Sequence, residues 1–514
     1  MILGETLAHQ ARIIPNRQAL VFGSDRISWG ELNARTNRLA NALLGLGAQH
    51  GDRVLLLLGN SPEFIEAYYA LAKIGCISAP VLPGSVAGEV AFIATSLRAR
   101  FVIAEAASAP LLRELAGSLD TVQAMIGLGP GHNLPYDYHE LGSRAGTEEP
   151  AATVKPDDLL TVKFTSGTTG TPKGCLRSHR NFVMAALVTN TELPLYDGDS
   201  AIIATPLSAG MGISQVTLLI VKGVRIALMA KFEPGAYLEL IERERPTLAY
   251  LMDVMSHRLH AHPHFASADL SSLRRVHLSG SARDILAHFS QQPTFHADLT
   301  SGFASSECGG LVSFQQAEDY RRALSDPSCA HLLDSLGREA PLYQLAILDD
   351  DLRPLPAGEL GELAVRGPSI FQGYWERPEE TAKTLRDGWL LTGDLVRIDE
   401  DGYIYWLGRK RDVIRSGGIN VYPAEVEPVL RSHPKVSDAA VVGLPDADWG
   451  EKVVACVVAR EACTEAEIVD WCQSRLAAFK RPKTVVFFDA LPVSEAGKIT
   501  KKEIVRLLTE TALS

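Results

Sequence analysis

The run TSGTTGTPKG, Thr165 to Gly174, places three glycines, five hydroxyl side chains and one lysine within ten residues. That composition suits phosphate. Glycine lets backbone N–H groups turn inward at φ values other residues avoid, hydroxyls donate further hydrogen bonds, and Lys173 adds a movable point charge. The spacing is not that of a Walker A loop, which sets Lys and Ser/Thr directly after its last glycine; here Thr171 and Pro172 intervene before Lys173. A solvated Gly/Ser/Thr linker would share the composition. The flanks argue against one, because Leu159 to Phe164 reads as a short strand and Asn181 to Val188 as a helix start with an apolar run.

Such a loop needs a scaffold, and the pattern around it supplies layered α/β structure. Helical periodicity over Trp29 to Leu46 and Ser61 to Ile74 alternates with β-rich runs at Arg53 to Leu58, Phe101 to Ala104 and Val224 to Leu228, which implies substantial parallel sheet. From Ala357 to Tyr405 the pattern changes to short alternating strands with many turns, a smaller β unit. A last block of about 100 residues is large enough for an α+β domain of its own. It reads as a helix at Pro423 to Ser432, strands at Asp438 to Val442 and Val453 to Ala459, and a helix at Glu465 to Leu476. The expected fold class is therefore α/β: a large N-terminal domain of layered α/β subdomains plus a β unit, residues 1–409, followed by a small, mobile α+β C-terminal domain, residues 410–514.

At 514 residues the chain exceeds what one core usually supports. A net charge of -11 with interspersed signs leaves no basic stripe for nucleic acid or an anionic membrane. The seven cysteines form no CxxC pair and no zinc spacing, which suits reduced thiols in the cytoplasm, and MILGETLAHQ does not read as a signal peptide. Ala201 to Met229 is apolar, yet Pro206, Ser208, Gly210, Gly212, Gln215, Lys222 and Arg225 interrupt it, so strand–turn–helix–strand fits better than a membrane span. His257, His260, His262 and His264 form a surface cluster, because Pro263 breaks the helical register that a metal site would need.

Six motifs in order resemble those of the adenylate-forming superfamily, which contains acyl-CoA synthetases, amide-forming ligases of the coronafacate-ligase type, and peptide adenylation domains. They are TSGTTGTPKG, GFASSE at Gly302 to Glu307, TGD at Thr392 to Asp394, GRKRD at Gly408 to Asp412, SGGINVYPAEVE at Ser416 to Glu427, and Gly497-Lys498. The shared reaction is attack of a carboxylate on the α-phosphate of ATP. Two anions must meet, so positioning and charge neutralisation matter more than proton transfer.

The resemblance implies that Thr165, Ser166, Gly167, Thr168, Thr169 and Lys173 hold the β- and γ-phosphates, and that Glu307 binds Mg²⁺ bridging them. It implies that Phe303 stacks on adenine in place of a usual tyrosine, and that Ser306 bonds the α-phosphate. Ser281 joins the ATP site, in the stretch Ser279-Gly280-Ser281-Ala282 that replaces a common Gly-Ala-Ala. Asp394 is implied to grip both ribose hydroxyls with help from Arg409. Lys498 is implied to bridge carboxylate and α-phosphate as charge develops, and because it lies on the mobile domain that domain must close and then turn, with Arg411 at the hinge.

The acyl pocket departs most from the family pattern. Ser208 and Gly210 stand where relatives carry an aromatic–histidine pair, leaving room for a bulky or cyclic acid, and Asp253 and Ser279 replace other common pocket residues. Phe479-Lys480-Arg481-Pro482-Lys483 resembles the FKxPK stretch of stand-alone acyl-CoA synthetases; Lys480, Arg481 and Lys483 suit the phosphates of CoA, and Gly417 and Gly418 give the pantetheine arm close passage. The same cations would also suit an ordinary helix end. Three readings follow: an acid:CoA ligase, an amide synthetase whose acceptor is an amine or amino acid, and a non-catalytic scaffold, which the joint retention of Glu307, Asp394 and Lys498 disfavours. The identity of the acid and the oligomeric state stay open.

Overall fold

The structure is a computed structural model that describes residues 1–165, 172–280, 282–493 and 499–511, with the backbone alone at 165, 284 and 511. It divides into two compact units, Met1–Gln344 with Val365–Leu390, and Leu345–Ala364 with Leu391–Ser514.

The first unit contains two seven-stranded sheets. One runs Asp298–Thr300, Arg275–Ser279, Leu248–Met252, Ser200–Ile203, Arg225–Leu228, Gln18–Phe22 and Asp25–Ser28, parallel throughout except for the last pair. The other runs Tyr136–Asp137, Ala124–Leu128, Phe101–Glu105, Arg53–Leu57, Ile77–Pro80, Leu159–Thr165 and Lys173–Ser178, parallel except for the closing hairpin. The β-branched and leucine-rich runs read from sequence become these strands because both faces are covered and apolar side chains are wanted on each.

The helix Pro62–Ile74 shows how the core is made. The Ser61 hydroxyl accepts the Phe64 N–H, proline occupies the first turn, and Gly75 at φ 70° ends the helix in the left-handed region. Phe64, Tyr68 and Tyr69 are all fully buried, each contributing about 2–3 kcal/mol of burial. Ala201 to Met229 forms the expected strand–helix–strand, Ser200–Ile203, Gly210–Lys222 and Arg225–Leu228. Among the described residues no helix is long and apolar enough to cross a membrane, and no disulfide joins the cysteines.

In the second unit the strands Gln344–Leu348, Leu360–Arg366, Trp389–Ile398 and Ile404–Arg409 follow one another in a sheet. A second sheet sets Ile419–Val421, Ile414–Ser416, Gly450–Ala459 and Val436–Asp446 side by side, with Thr484–Phe487 parallel to Gly450–Ala459. The helices Pro423–Arg431, Glu465–Gln473 and Lys501–Thr511 belong to this block. Val426, Leu430 and Ile468 pack on one face of the long strands, and Ile504 packs on the other against Ala440, Val442 and Val454. Alternation along the strands thus fills two cores.

Candidate active site

The phosphate-suited run joins two antiparallel strands, Leu159–Thr165 and Lys173–Ser178, in register at Thr165↔Lys173. The helix His179–Glu192 begins only after the second strand. The sequence reading missed that strand, because Gly174, Cys175, Arg177 and Ser178 make KGCLRS a weak β pattern. Ser166, Gly167, Thr168 and Thr169, like Ser281 and Lys498, lie outside the described residues. Lys173 Nζ stands 3.7 Å from Glu380 and 5.2 Å from the centre of the Tyr374 ring.

The edge of Lys173–Ser178 is covered by the segment around Gly373. The Leu176 N–H donates to Gly373 O at 2.9 Å, Gln372 N to Leu176 O at 2.9 Å, and Trp375 N to Gly174 O at 2.8 Å. These bonds fix Tyr374, whose hydroxyl donates to Glu307 Oε1 at 2.9 Å. Burial first and the neighbouring Glu307 second push the Tyr374 hydroxyl pKa well up, so it stays a donor.

Glu307 is delivered by the GFASSE segment. A Cβ on Gly302 would meet Ser313 O at 2.1 Å, so only glycine fits there. Phe303 is buried, its N–H donating to Ser313 Oγ at 3.1 Å and its carbonyl accepting from Val312 N at 2.9 Å. A turn follows in which Ser305 Oγ accepts the Cys308 N–H at 3.0 Å, and Phe371 N donates to Glu307 O at 2.9 Å. Ser306 and Glu307 are both half-exposed. Among the described residues no three His, Cys, Asp or Glu side chains converge on a metal. A single half-exposed carboxylate is unsuited to a protein-only metal cage, but it fits Mg²⁺ carried in on phosphates, which takes one or two carboxylates.

Ser208 and Gly210 meet Ser306 in one pocket, whose wall also includes Pro80, Thr161, Lys163, Arg177, Phe182 and Ile213. Asn60 shapes the loop that carries Ser208: its Nδ2 donates to Thr205 O and Met229 O at 3.0 Å each, and its Oδ1 accepts from Leu207 N at 2.7 Å. Lys163 Nζ donates to Ser208 O at 2.6 Å. A Cβ on Gly210 would meet nothing within 4 Å, so there is open space beside it.

Asp253 and Ser279 lie apart from that wall, at the carboxyl ends of the neighbouring parallel strands Leu248–Met252 and Arg275–Ser279. Asp253 is half-buried at the start of the helix Asp253–His260, and Ser279 is exposed. A Cβ on Gly280, at φ 139°, would sit 2.0 Å from the Asp253 carboxyl, so glycine is needed for their approach. His257 and His260 pack on His288, each with ring centres 4.5 Å apart, while His264 pairs with Glu242 at 3.1 Å.

In the second unit Asp394 is 1% exposed and faces Arg409 across the sheet. Its Oδ1 lies 3.1 Å from Arg409 Nε and accepts from Trp406 Nε1 at 2.8 Å. Arg409 also donates to Thr392 O at 3.1 Å. Arg411 is exposed in the short turn Lys410–Asp412, with Asp412 3.5 Å away.

Gly417 and Gly418, at φ 60° and 80°, form the two-residue turn between Ile414–Ser416 and Ile419–Val421 that this left-handed pair allows. The three expected acceptor cations go to three places. Lys480 pairs with Glu425 at 2.8 Å. Arg481 donates to Leu476 O at 3.0 Å and Gln473 O at 2.8 Å, closing the end of the helix Glu465–Gln473. Lys483 lies 4.3 Å from the centre of the exposed Trp449 ring, whose edge a Cβ on Gly417 would reach at 3.1 Å.

Sequence reasoning passed over Lys163, Arg177, Tyr374 and Trp406. A lysine inside the otherwise apolar strand pattern LLTVKFT was the one available signal.

The chain belongs to the AMP-binding enzyme family: the AMP-binding enzyme model matches residues 7–375 and the AMP-binding enzyme C-terminal domain model residues 425–498. Feruloyl-CoA synthase from Amycolatopsis sp is 34% identical over 519 residues, 98% of each chain. The solved anthranilate CoA ligase in complex with anthranoyl-AMP superposes with a TM-score of 0.90 at 26% identity, covering 100% of this chain and 98% of the other. The amide bond synthetase from Marinactinospora thermotolerans gives 0.86 at 28% identity, covering 98% and 99%.

Proposed function

We propose that this chain is an AMP-forming carboxylic acid:CoA ligase. The observation that carries the reading is similarity to feruloyl-CoA synthase along 98% of both chains, and the placement of Glu307 and Asp394 agrees with it. In the first half-reaction a carboxylate oxygen bonds to the α-phosphorus of ATP and the bond to pyrophosphate breaks. In the second, the thiol of CoA attacks the acyl carbon and AMP leaves.

Glu307, held by the Tyr374 hydroxyl, is the ligand for Mg²⁺, which when bound offsets phosphate charge. Lys173 and the hydroxyls of Thr165, Ser166, Thr168 and Thr169, with the Gly167 backbone, hold the β- and γ-phosphates. Ser306 takes the α-phosphate, and Phe303 and Ser281 flank the base. Asp394 accepts from the ribose hydroxyls while Arg409 and Trp406 hold its carboxylate in place. Lys498 neutralises the charge that develops between the two anions. Arg411, exposed in a short turn, absorbs the rotation of the residues that follow.

A second reading has specific support. The amide bond synthetase shares the fold over nearly the whole chain, and Lys480 and Arg481 are engaged within the protein. Incubation with ATP, Mg²⁺ and a panel of cyclic and aromatic acids, with CoA or free amines as acceptor, decides between them by mass spectrometry. The expected products are AMP, pyrophosphate and an acyl-CoA thioester. Amides formed without any thioester would move the chain to the second reading.

A further inference from the structure

The turn that carries Ser306 and Glu307 is held by its carbonyls. Phe371 N donates to Glu307 O at 2.9 Å, Ser369 Oγ to Cys308 O at 2.5 Å, and a terminal nitrogen of Arg177 to Gly309 O. Three successive carbonyls are each met by a separate donor, and of the three donors only Arg177 stands on the hairpin that bears the phosphate run. Inside the turn the Gly309 N–H donates to Ser305 O at 3.1 Å and the Cys308 N–H to Ser305 Oγ at 3.0 Å. Gly309 lies at φ 78°, and a Cβ there would sit 2.2 Å from Ser369 O and 2.9 Å from the Arg177 terminal nitrogen, so glycine is what admits both neighbours.

Arg177 belongs to the strand Lys173–Ser178, four residues after Lys173 and on the same side of it. It is 5% exposed, with its guanidinium 3.9 Å from the centre of the Phe182 ring. Burial lowers its pKa to about 10, so it remains a cation and a donor at neutral pH. Its Nε, also buried, makes no hydrogen bond among the described residues. Such a charge is costly to bury, and an apolar side chain of the same volume would serve packing at least as well. The apolar side chain could not hold Gly309 O.

We propose that Arg177 is a positioning residue for the phosphate site: it fixes the turn of Ser306 and Glu307 against the strand of Lys173, so that the groups on both meet one nucleotide in a set geometry. This rests on the acid ligase reading, which gives Ser306 the α-phosphate and Glu307 the Mg²⁺. Glu307 has a second tie to the same strand, because Tyr374, whose hydroxyl donates to it at 2.9 Å, forms an antiparallel bridge with Cys175. Tyr374 aims the carboxylate; Arg177 sets the backbone under it. A misplacement of about 1 Å in such a site lowers the rate far more than the loss of one contact lowers stability.

The test compares wild type with Arg177→Met and Arg177→Lys in three measurements. Hydrogen exchange of the nucleotide-free protein reads the turn itself, pyrophosphate release titrated with Mg²⁺ at fixed ATP reads its consequence, and urea denaturation reads general stability. Arg177→Met should speed exchange of the Cys308 and Gly309 amides, raise the Mg²⁺ needed for half-maximal rate at least about tenfold, and lower kcat, with a smaller change in the KM for the acid. Arg177→Lys keeps the charge and can still donate to Gly309 O from a shorter side chain. It should recover part of both effects.

Unchanged exchange in the turn of Arg177→Met would overturn the proposal. So would a raised KM for the acid at unchanged Mg²⁺ dependence, since Arg177 also lines the pocket of Ser208 and Gly210. Faster exchange spread over the whole first unit, with a lowered urea midpoint, would make Arg177 a residue of general stability and overturn it too. Should Arg177→Met not fold, Arg177→Lys carries both readouts, and wild-type values in it remove the proposal. If wild type releases pyrophosphate with none of the acids, the ligase reading fails by itself. The exchange measurement then decides alone, upholding the positioning when the change is confined to the turn and removing it otherwise.

Discussion

The molecule holds two groups of cations, one written as a run in the sequence and one assembled only by strand pairing. In the second unit, Lys480, Arg481 and Lys483 stand together in a motif, yet Lys480 is tied to Glu425, Arg481 to helix carbonyls, and Lys483 to the Trp449 ring. In the first unit, Lys163 and Arg177 are fourteen residues apart in sequence, yet a strand register brings them onto one wall with Ser208 and Ser306. Clustering in sequence reports neighbours along the chain; the partners each charge meets depend on strand register and helix ends.

Lys498 gives the most severe test of that distinction, because its assigned partner exists only in a transition state. Lys498→Ala is expected to lower kcat for adenylate formation by about 3 kcal/mol, or about 150-fold, and to leave the use of preformed acyl adenylate nearly unchanged. Pyrophosphate release and single-turnover acyl transfer measure the two halves separately. Equal loss in both would make Lys498 a structural cation like Arg481.

Motif-borne parts of the site were legible in sequence because their chemistry is local. The phosphate run, Glu307 in GFASSE and Asp394 in TGD each need only a turn and a few neighbours to be presented. Their supports were not legible. Tyr374 reaches Glu307 from 67 residues away and only because the Gly373 segment pairs with an edge strand. Trp406 reaches Asp394 from the adjacent strand, 12 residues on. Lys163 and Arg177 share a face only through the Thr165↔Lys173 register, and the second strand of that hairpin was not foreseen.

The β-rich runs of the sheets were legible for the opposite reason: their patterns repeat over many residues, so the loss of one position costs little. Helix ends were less so. The expected helix Glu465 to Leu476 stops at Gln473, and the difference of one turn is what gives Arg481 its carbonyl partners.

Arg481→Ala sharpens the comparison from the structural side. Two hydrogen bonds from a charged group to carbonyls at a helix end are worth about 1–2 kcal/mol together, so urea denaturation should show that loss with the m value unchanged. The apparent KM for CoA should move little. A CoA defect in a variant of full stability would break the assignment and return Arg481 to the acceptor site.

Lys483→Ala carries the smallest expected effect and is the one that reports on the acceptor. Among the described residues Lys483 forms no ion pair; it donates to Ala478 O at 3.4 Å and rests on the exposed Trp449 ring, next to the Gly417–Gly418 turn. An exposed ammonium in that position gains modestly from a phosphate, about 1 kcal/mol. Its removal should therefore raise the apparent KM for CoA roughly fivefold, leave pyrophosphate release in the first half-reaction unchanged, and weaken with added salt as screening grows. A neutral amine acceptor offers no phosphate to this lysine. An unchanged KM for CoA beside normal thioester formation would thus leave the second unit without a free-standing acceptor cation among these three, and the phosphates of CoA would have to be met by backbone at the Gly417–Gly418 turn.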